Sequence, residues 1–254
     1  MRQEFLLIFL NLLFILSFLF IKKIKYLNYF GIISWIFLFF FWILRFINAK
    51  HLPFFGAYES SISILFFTGI VLLFYFIFKN IPAFYLFPIL SIFFLFHSSF
   101  FSNKIWATTI SERSFWVYLH SIFAYLSFGF NFFLFSLSFL KILKKELKEN
   151  LMDNLIVFYS FYTFMLILGF FYRFILFGKI ISFDPMEAMH LSIFLIYTTF
   201  IHWAYFKKIE EIRVAKIIFI LFFLFVLSYR IILIFPPFGT YHIIDIELRM
   251  HIKP

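Results

Sequence analysis

The sequence predicts an all-α integral membrane protein: a bundle of about eight transmembrane helices with both termini on the extracytoplasmic side. Three observations predict it. Of 254 residues, 65% are hydrophobic and only 13% are charged, whereas about a quarter of a soluble domain is charged, so a water-soluble fold is excluded. The apolar residues fall in runs long enough to cross a hydrocarbon core of roughly 30 Å. The basic residues gather in alternate connectors.

The runs lie at about 4–21, 28–48, 61–78, 82–99, 116–140, 152–177, 188–206 and 215–235. The first reads as a retained helix rather than a signal peptide. It has no small-residue cleavage site, and its positive cluster (Lys22, Lys23, Lys25) follows the apolar stretch instead of preceding it. The fifth and sixth runs are long enough to tilt or to project beyond the lipid. The connectors are short, so residues 1–254 read as one polytopic domain. The 50 phenylalanines reflect a bias in residue usage and are assigned no role.

Lysine and arginine set the orientation. Lys22, Lys23 and Lys25 follow the first run, Lys79 the third, Lys141, Lys144, Lys145 and Lys148 the fifth, and Lys207, Lys208, Arg213 and Lys216 the seventh. Loops after odd-numbered runs share one side, and the positive-inside rule makes that side cytoplasmic. The net charge of +10 is mostly this orientation code, with no basic patch for nucleic acid.

Histidines are the candidate functional residues, because an imidazole in or near lipid is costly without a partner. On this topology His51, His97, His120, His190, His242 and His251 lie outside or at outer helix ends. His202 lies about fourteen residues along the seventh run, roughly 20 Å below the outer surface. Two ligands of one iron need nitrogens about 4 Å apart. His120 and His242 are placed to share one, and His202 is not placed to join them. His120, Ser127, Asn131 and Ser138 form a polar stripe on the fifth run, serving either helix packing or a ligand-lining wall. Thr198 and Thr199, one turn from His202, are candidates to orient its ring. Asp184-Pro185 with Glu187 reads as a helix start with proline at its first position and acid in its first turn. Arg45, Arg173 and Arg230 lie near outer helix ends, where snorkelling is the default account.

Between the second and third runs stands Arg45-Phe-Ile-Asn-Ala-Lys-His51-Leu-Pro-Phe-Phe-Gly-Ala-Tyr-Glu59-Ser60. Its Arg…His-x-Pro…Tyr-Glu-Ser pattern resembles a segment of the CcsA type of cytochrome c biogenesis protein, in the haem-handling family that includes the CcmC and CcmF types. Leu119-His120-Ser121 resembles the family's first external haem-binding histidine, Ile201-His202-Trp203 its transmembrane histidine, and Gly239-Thr-Tyr-His242 its second external histidine. The resemblance covers about residues 40–245. It departs in the loop after the sixth run, where the family reads W-G-x-x-W-x-W-D-P-x-E. Here Phe177, Ile181 and Phe183 stand in place of the tryptophans, while Asp184-Pro185 and Glu187 survive. Phenylalanine keeps an aromatic face for stacking on a macrocycle but loses the indole N–H.

The resemblance implies haem b as bound substrate, with iron ligated by His120, His242 and His202. Asp184, Phe177 and Phe183 would contribute to the outer haem platform. Arg45, Arg173, Arg230, Glu59 and His51 are candidates for propionate contacts or structural roles. It implies a multi-pass protein of a bacterial-type cytoplasmic membrane, with its haem site facing outward. There haem would be presented to a Cys-x-x-Cys-His apocytochrome c, in a haem lyase complex with a CcsB-type membrane protein. The lone inner His202 is what a partner-supplied second ligand would leave. The acceptor brings the thiols, so the absence of cysteine is compatible. Two other readings stand beside this one: a membrane b-type cytochrome carrying electrons between two haems, and a non-haem transporter or structural subunit.

Overall fold

The structure, a computed structural model, describes residues 24–98, 101, 114–143, 149–178, 180, 181 and 185–234. The first expected run and both termini lie outside them. The described residues form seven α-helices and no strand. These are α1 (Ile24–Ala49), α2 (Gly56–Lys79), α3 (Phe87–Ser98), α4 (Phe115–Ile142), α5 (Leu151–Phe177), α6 (Pro185–Lys207) and α7 (Glu211–Ile234), with a 3₁₀ turn at Phe84–Leu86. Four stretches are long and apolar enough to cross a membrane: Tyr26–Ala49, Tyr58–Lys79, Phe115–Ile142 and Leu151–Ile175. The chain divides into two compact units, Met1–Glu112 and Arg113–Pro254.

The expected fourth span is shorter than the sequence suggested. Apolar residues run through 82–99, but the α-helix there is 12 residues, about 18 Å at 1.5 Å per residue. Proline is the reason. Pro82 disfavours helical backbone at the residue before it, and residues 81–83 stay non-helical. Pro88 then sits in the first turn of α3, where its missing N–H costs nothing.

In the first unit, Lys50 (φ 56°) ends α1, and its N–H donates to Phe46 O at 2.9 Å. The loop then turns back into α2. Trp42 Nε1 donates to Ser63 Oγ (2.9 Å), which donates to Pro53 O (2.5 Å). This relay stitches the loop to both flanking helices. Trp35 Nε1 donates to Phe66 O (3.1 Å), and Trp42 stacks on Phe66 at 4.3 Å. Asn28 Oδ1 accepts from the Phe84 N–H at 2.8 Å and anchors the 3₁₀ turn on α1. Gly31 permits that approach, because a Cβ there would occupy the place of the Phe84 carbonyl.

In the second unit, α4 makes its most extensive interface with α5 and packs next on α7, while α6 bridges α5 and α7. Asn150 caps α5 by accepting from the Met152 N–H at 2.9 Å. Gly178, in the left-handed region at φ 66°, ends it. Proline at the first position of α6 and Glu187 in its first turn agree with the expected helix start. Phe135 stacks on Phe222 at 4.3 Å between α4 and α7.

Candidate functional site

His120 lies five residues into α4, about 7.5 Å along its axis. The ring is half-buried, and its Nδ1–H donates to the backbone carbonyl of Met165 on α5 at 2.9 Å. A carbonyl only accepts, so the proton is on Nδ1 and the lone pair of the neutral ring is on Nε2. Gly169, one turn along α5, makes room for the ring. A Cβ there would lie 3.0 Å from Cε1 and 3.1 Å from Nδ1. An imidazole with its distal nitrogen fixed by a carbonyl is the arrangement found around metal-bound histidines, where the second partner sets tautomer and orientation.

One turn beyond Gly169, Arg173 forms a largely buried ion pair with Glu187 of α6. This pair joins the last turns of α5 to the first turn of α6. His120, Gly169, Arg173 and Glu187 therefore occupy neighbouring turns of the same end of α4, α5 and α6. Trp116 stacks on Phe171 at 6.0 Å across the α4–α5 interface at that end.

His202 is separate. It is 17 residues past the start of α6 and five before its end, about 26 Å and 7.5 Å of rise respectively. Its ring is exposed on the second unit, and Nδ1–H donates to the Thr198 carbonyl at 2.8 Å. The expected orienting threonine is thus present, but its backbone does the orienting. The Thr198 hydroxyl donates to Phe194 O (2.7 Å), and Tyr159 Oη lies 2.5 Å from it. Like His120, His202 keeps its Nε2 lone pair.

The polar stripe of α4 is mostly interior. Ser127, Asn131 and Ser138 are buried. Asn131 Oδ1 accepts from the Tyr197 hydroxyl at 3.1 Å, and Ser127 bonds Ala124 O on its own helix. Tyr162 and His190, which the sequence did not single out as a pair, form a second α5–α6 tie. The Tyr162 hydroxyl lies 3.0 Å from both the ring Nδ1 and the carbonyl of His190. The hydroxyl has one proton, which goes to the carbonyl while Nδ1–H donates to the hydroxyl oxygen.

In the first unit, Glu59 Oε1 accepts from Arg45 Nε at 3.1 Å and Nη2 at 3.0 Å. The Arg45 guanidinium carbon lies 5.1 Å from the Tyr58 ring centroid. His51 Nδ1 bonds the adjacent Leu52 carbonyl at 3.0 Å. Arg45 and Arg173 thus each have a glutamate partner, with which a propionate would compete. Of the remaining candidates, Phe177 is the last residue of α5 and Arg230 lies in the final turns of α7. His242, Asp184 and Phe183 lie outside the described residues.

Among the described residues, no group of three or more His, Cys, Asp or Glu side chains converges on a metal position. That describes a cage built from side chains alone. Haem iron takes four ligands from the porphyrin and asks one or two of the protein. No protein-family model matches the chain, and no curated protein matches it.

Proposed function

We propose that this chain binds haem and presents it at the outer face of a bacterial-type cytoplasmic membrane for covalent attachment to Cys-x-x-Cys-His apocytochromes, as a divergent CcsA-type component of a haem lyase complex. The observation that carries the reading is His120. It sits at the end of α4 that the charge pattern makes external, its ring lies against Gly169, and its tautomer is set by the Met165 carbonyl. That geometry suits an imidazole offering Nε2 to iron. His242 is assigned the opposing position by resemblance.

Bound haem would supply two vinyl groups. The chain's part is to hold and orient the macrocycle while each acceptor thiol S–H adds across a vinyl C=C. The addition conserves atoms and electrons and needs no cysteine from this chain. His202, exposed with the same tautomer, fits a second haem position completed by another membrane protein of the CcsB type. At the depth that the charge pattern gives His202, an exposed imidazole is costly in lipid unless something meets it.

The test is maturation of a Cys-x-x-Cys-His reporter cytochrome, read by haem staining, in cells whose only assembly protein of this type is this chain with its partner. Loss of stained reporter with His120→Ala or His242→Ala is expected. Undiminished staining with both histidines replaced would favour a non-haem transporter or structural subunit.

A further inference from the structure

The two units share a pattern. The pair Arg45–Glu59 spans fourteen residues, and so does Arg173–Glu187. In each, the arginine lies four residues before the end of a long helix, and the glutamate is in the first turn of the next. The correspondence extends further at a constant offset of 128 residues. Arg45-Phe46-Ile47 recurs as Arg173-Phe174-Ile175, Glu59 as Glu187, Lys79 as Lys207 and Ile81 as Ile209. Phenylalanine matches carry little in a chain with 50 of them. The charges carry more, because only 13% of residues are charged. All four Lys, Arg and Glu residues of 45–81 recur, three in register and Lys50 one place late as Lys179.

Backbone geometry repeats with the same register. Helices α1 and α5 end at Ala49 and Phe177, and α2 and α6 end at Lys79 and Lys207. Lys50 and Gly178 follow the first pair with φ 56° and 66°, and Asn80 and Lys208 follow the second with φ 53° and 45°. Lys50 N–H donates to Phe46 O and Gly178 N–H to Phe174 O, both at 2.9 Å. The capped helix ends are one feature and the ion pairs a second, and the two share one offset.

The geometry points to a tandem duplication of one helix–loop–helix unit, in which Arg45–Glu59 and Arg173–Glu187 are equivalent positioning pairs. Each ties the helix before an outer connection to the helix after it, α1 to α2 in one copy and α5 to α6 in the other. The loop carrying His51 is then the counterpart of the loop cast as the haem platform. Repeats that run in the same direction through the membrane are a recurrent plan in membrane proteins. This inference stands on the two ion pairs and the register, and holds whether or not haem is the ligand.

The chain contains no cysteine, so single cysteines report cleanly. Leu52 and Ile180 are equivalent positions, and each is replaced by cysteine in the full-length protein and treated with a membrane-impermeant maleimide. The expectation is labelling of both from the same side of the membrane. Glu59→Gln should raise the rate severalfold at position 52 and leave 180 alone, and Glu187→Gln should do the converse. The charge-exchanged pairs R45E/E59R and R173E/E187R should restore each rate. Labelling from opposite sides overturns the duplication. Rates untouched by either glutamine overturn the positioning role. If a glutamine variant fails to accumulate, recovery of accumulation and rate in the exchanged pair supports the role, and no recovery overturns it.

Discussion

At the scale of residues, the account rests on where a histidine proton sits. Both His120 and His202 donate Nδ1–H to a backbone carbonyl, and a carbonyl is not removed by side-chain mutation. Thr198→Ala should therefore leave the haem spectrum unchanged. It removes only the hydroxyl contacts with Phe194 and Tyr159, at a cost of about 1 kcal/mol in thermal unfolding. Gly169→Val should behave differently. Its side chain would enter the space of the His120 ring, and haem retained after purification should fall by about tenfold, as when a metal ligand loses its orienting partner. A Gly169→Val protein with full haem content would show that the His120 ring position does not matter. The sequence revealed the histidines by their cost in lipid but not their tautomers. Thr198 was visible as a neighbour one turn away, yet spacing alone does not separate a hydroxyl from a carbonyl as the partner.

At the scale of elements, apolar run length located the helices to within a few residues. The seventh run, read as 188–206, is Pro185–Lys207, and the sixth, read as 152–177, is Leu151–Phe177. Hydropathy overran the helix at 82–99 because it is blind to the helical backbone that Pro82 disfavours at the residue before it. The Arg173–Glu187 pair was hidden for another reason. Helical and strand periods hold only within one unbroken element, and a loop separates these two residues, so they were read separately as a snorkelling arginine and a first-turn acid. Their pairing makes a stability prediction. Arg173→Met removes the cation facing a largely buried Glu187, which should cost about 3 kcal/mol in detergent-solubilised unfolding. The double variant Arg173→Met/Glu187→Leu should recover most of it, and a double variant as unstable as the single would contradict the account. In the first unit, Gly31→Val should cost about 1–3 kcal/mol, because the Phe84 carbonyl occupies the space its side chain needs.

At the scale of the whole molecule, composition made the membrane class legible, and four described stretches have the length and apolarity to span. The division into two units was not read from run lengths, although the stretch between the fourth and fifth runs, residues 100–115, is the longest connector between them. Charge in the loops predicts sidedness. Cysteine at Lys208 should react with an impermeant maleimide only after the membrane is permeabilised, whereas cysteine at Ile180 should react in intact cells. The reverse pattern would invert the molecule and put His120 on the wrong face for an external acceptor. The most direct test of the central claim is the optical spectrum and haem content of the purified full-length chain, compared with its His120→Ala and His202→Ala forms. The account predicts co-purified haem b in the parent, loss of the outer-site haem in His120→Ala, and its retention in His202→Ala. A parent free of haem, or a His120→Ala protein whose haem content and spectrum match the parent, would contradict it.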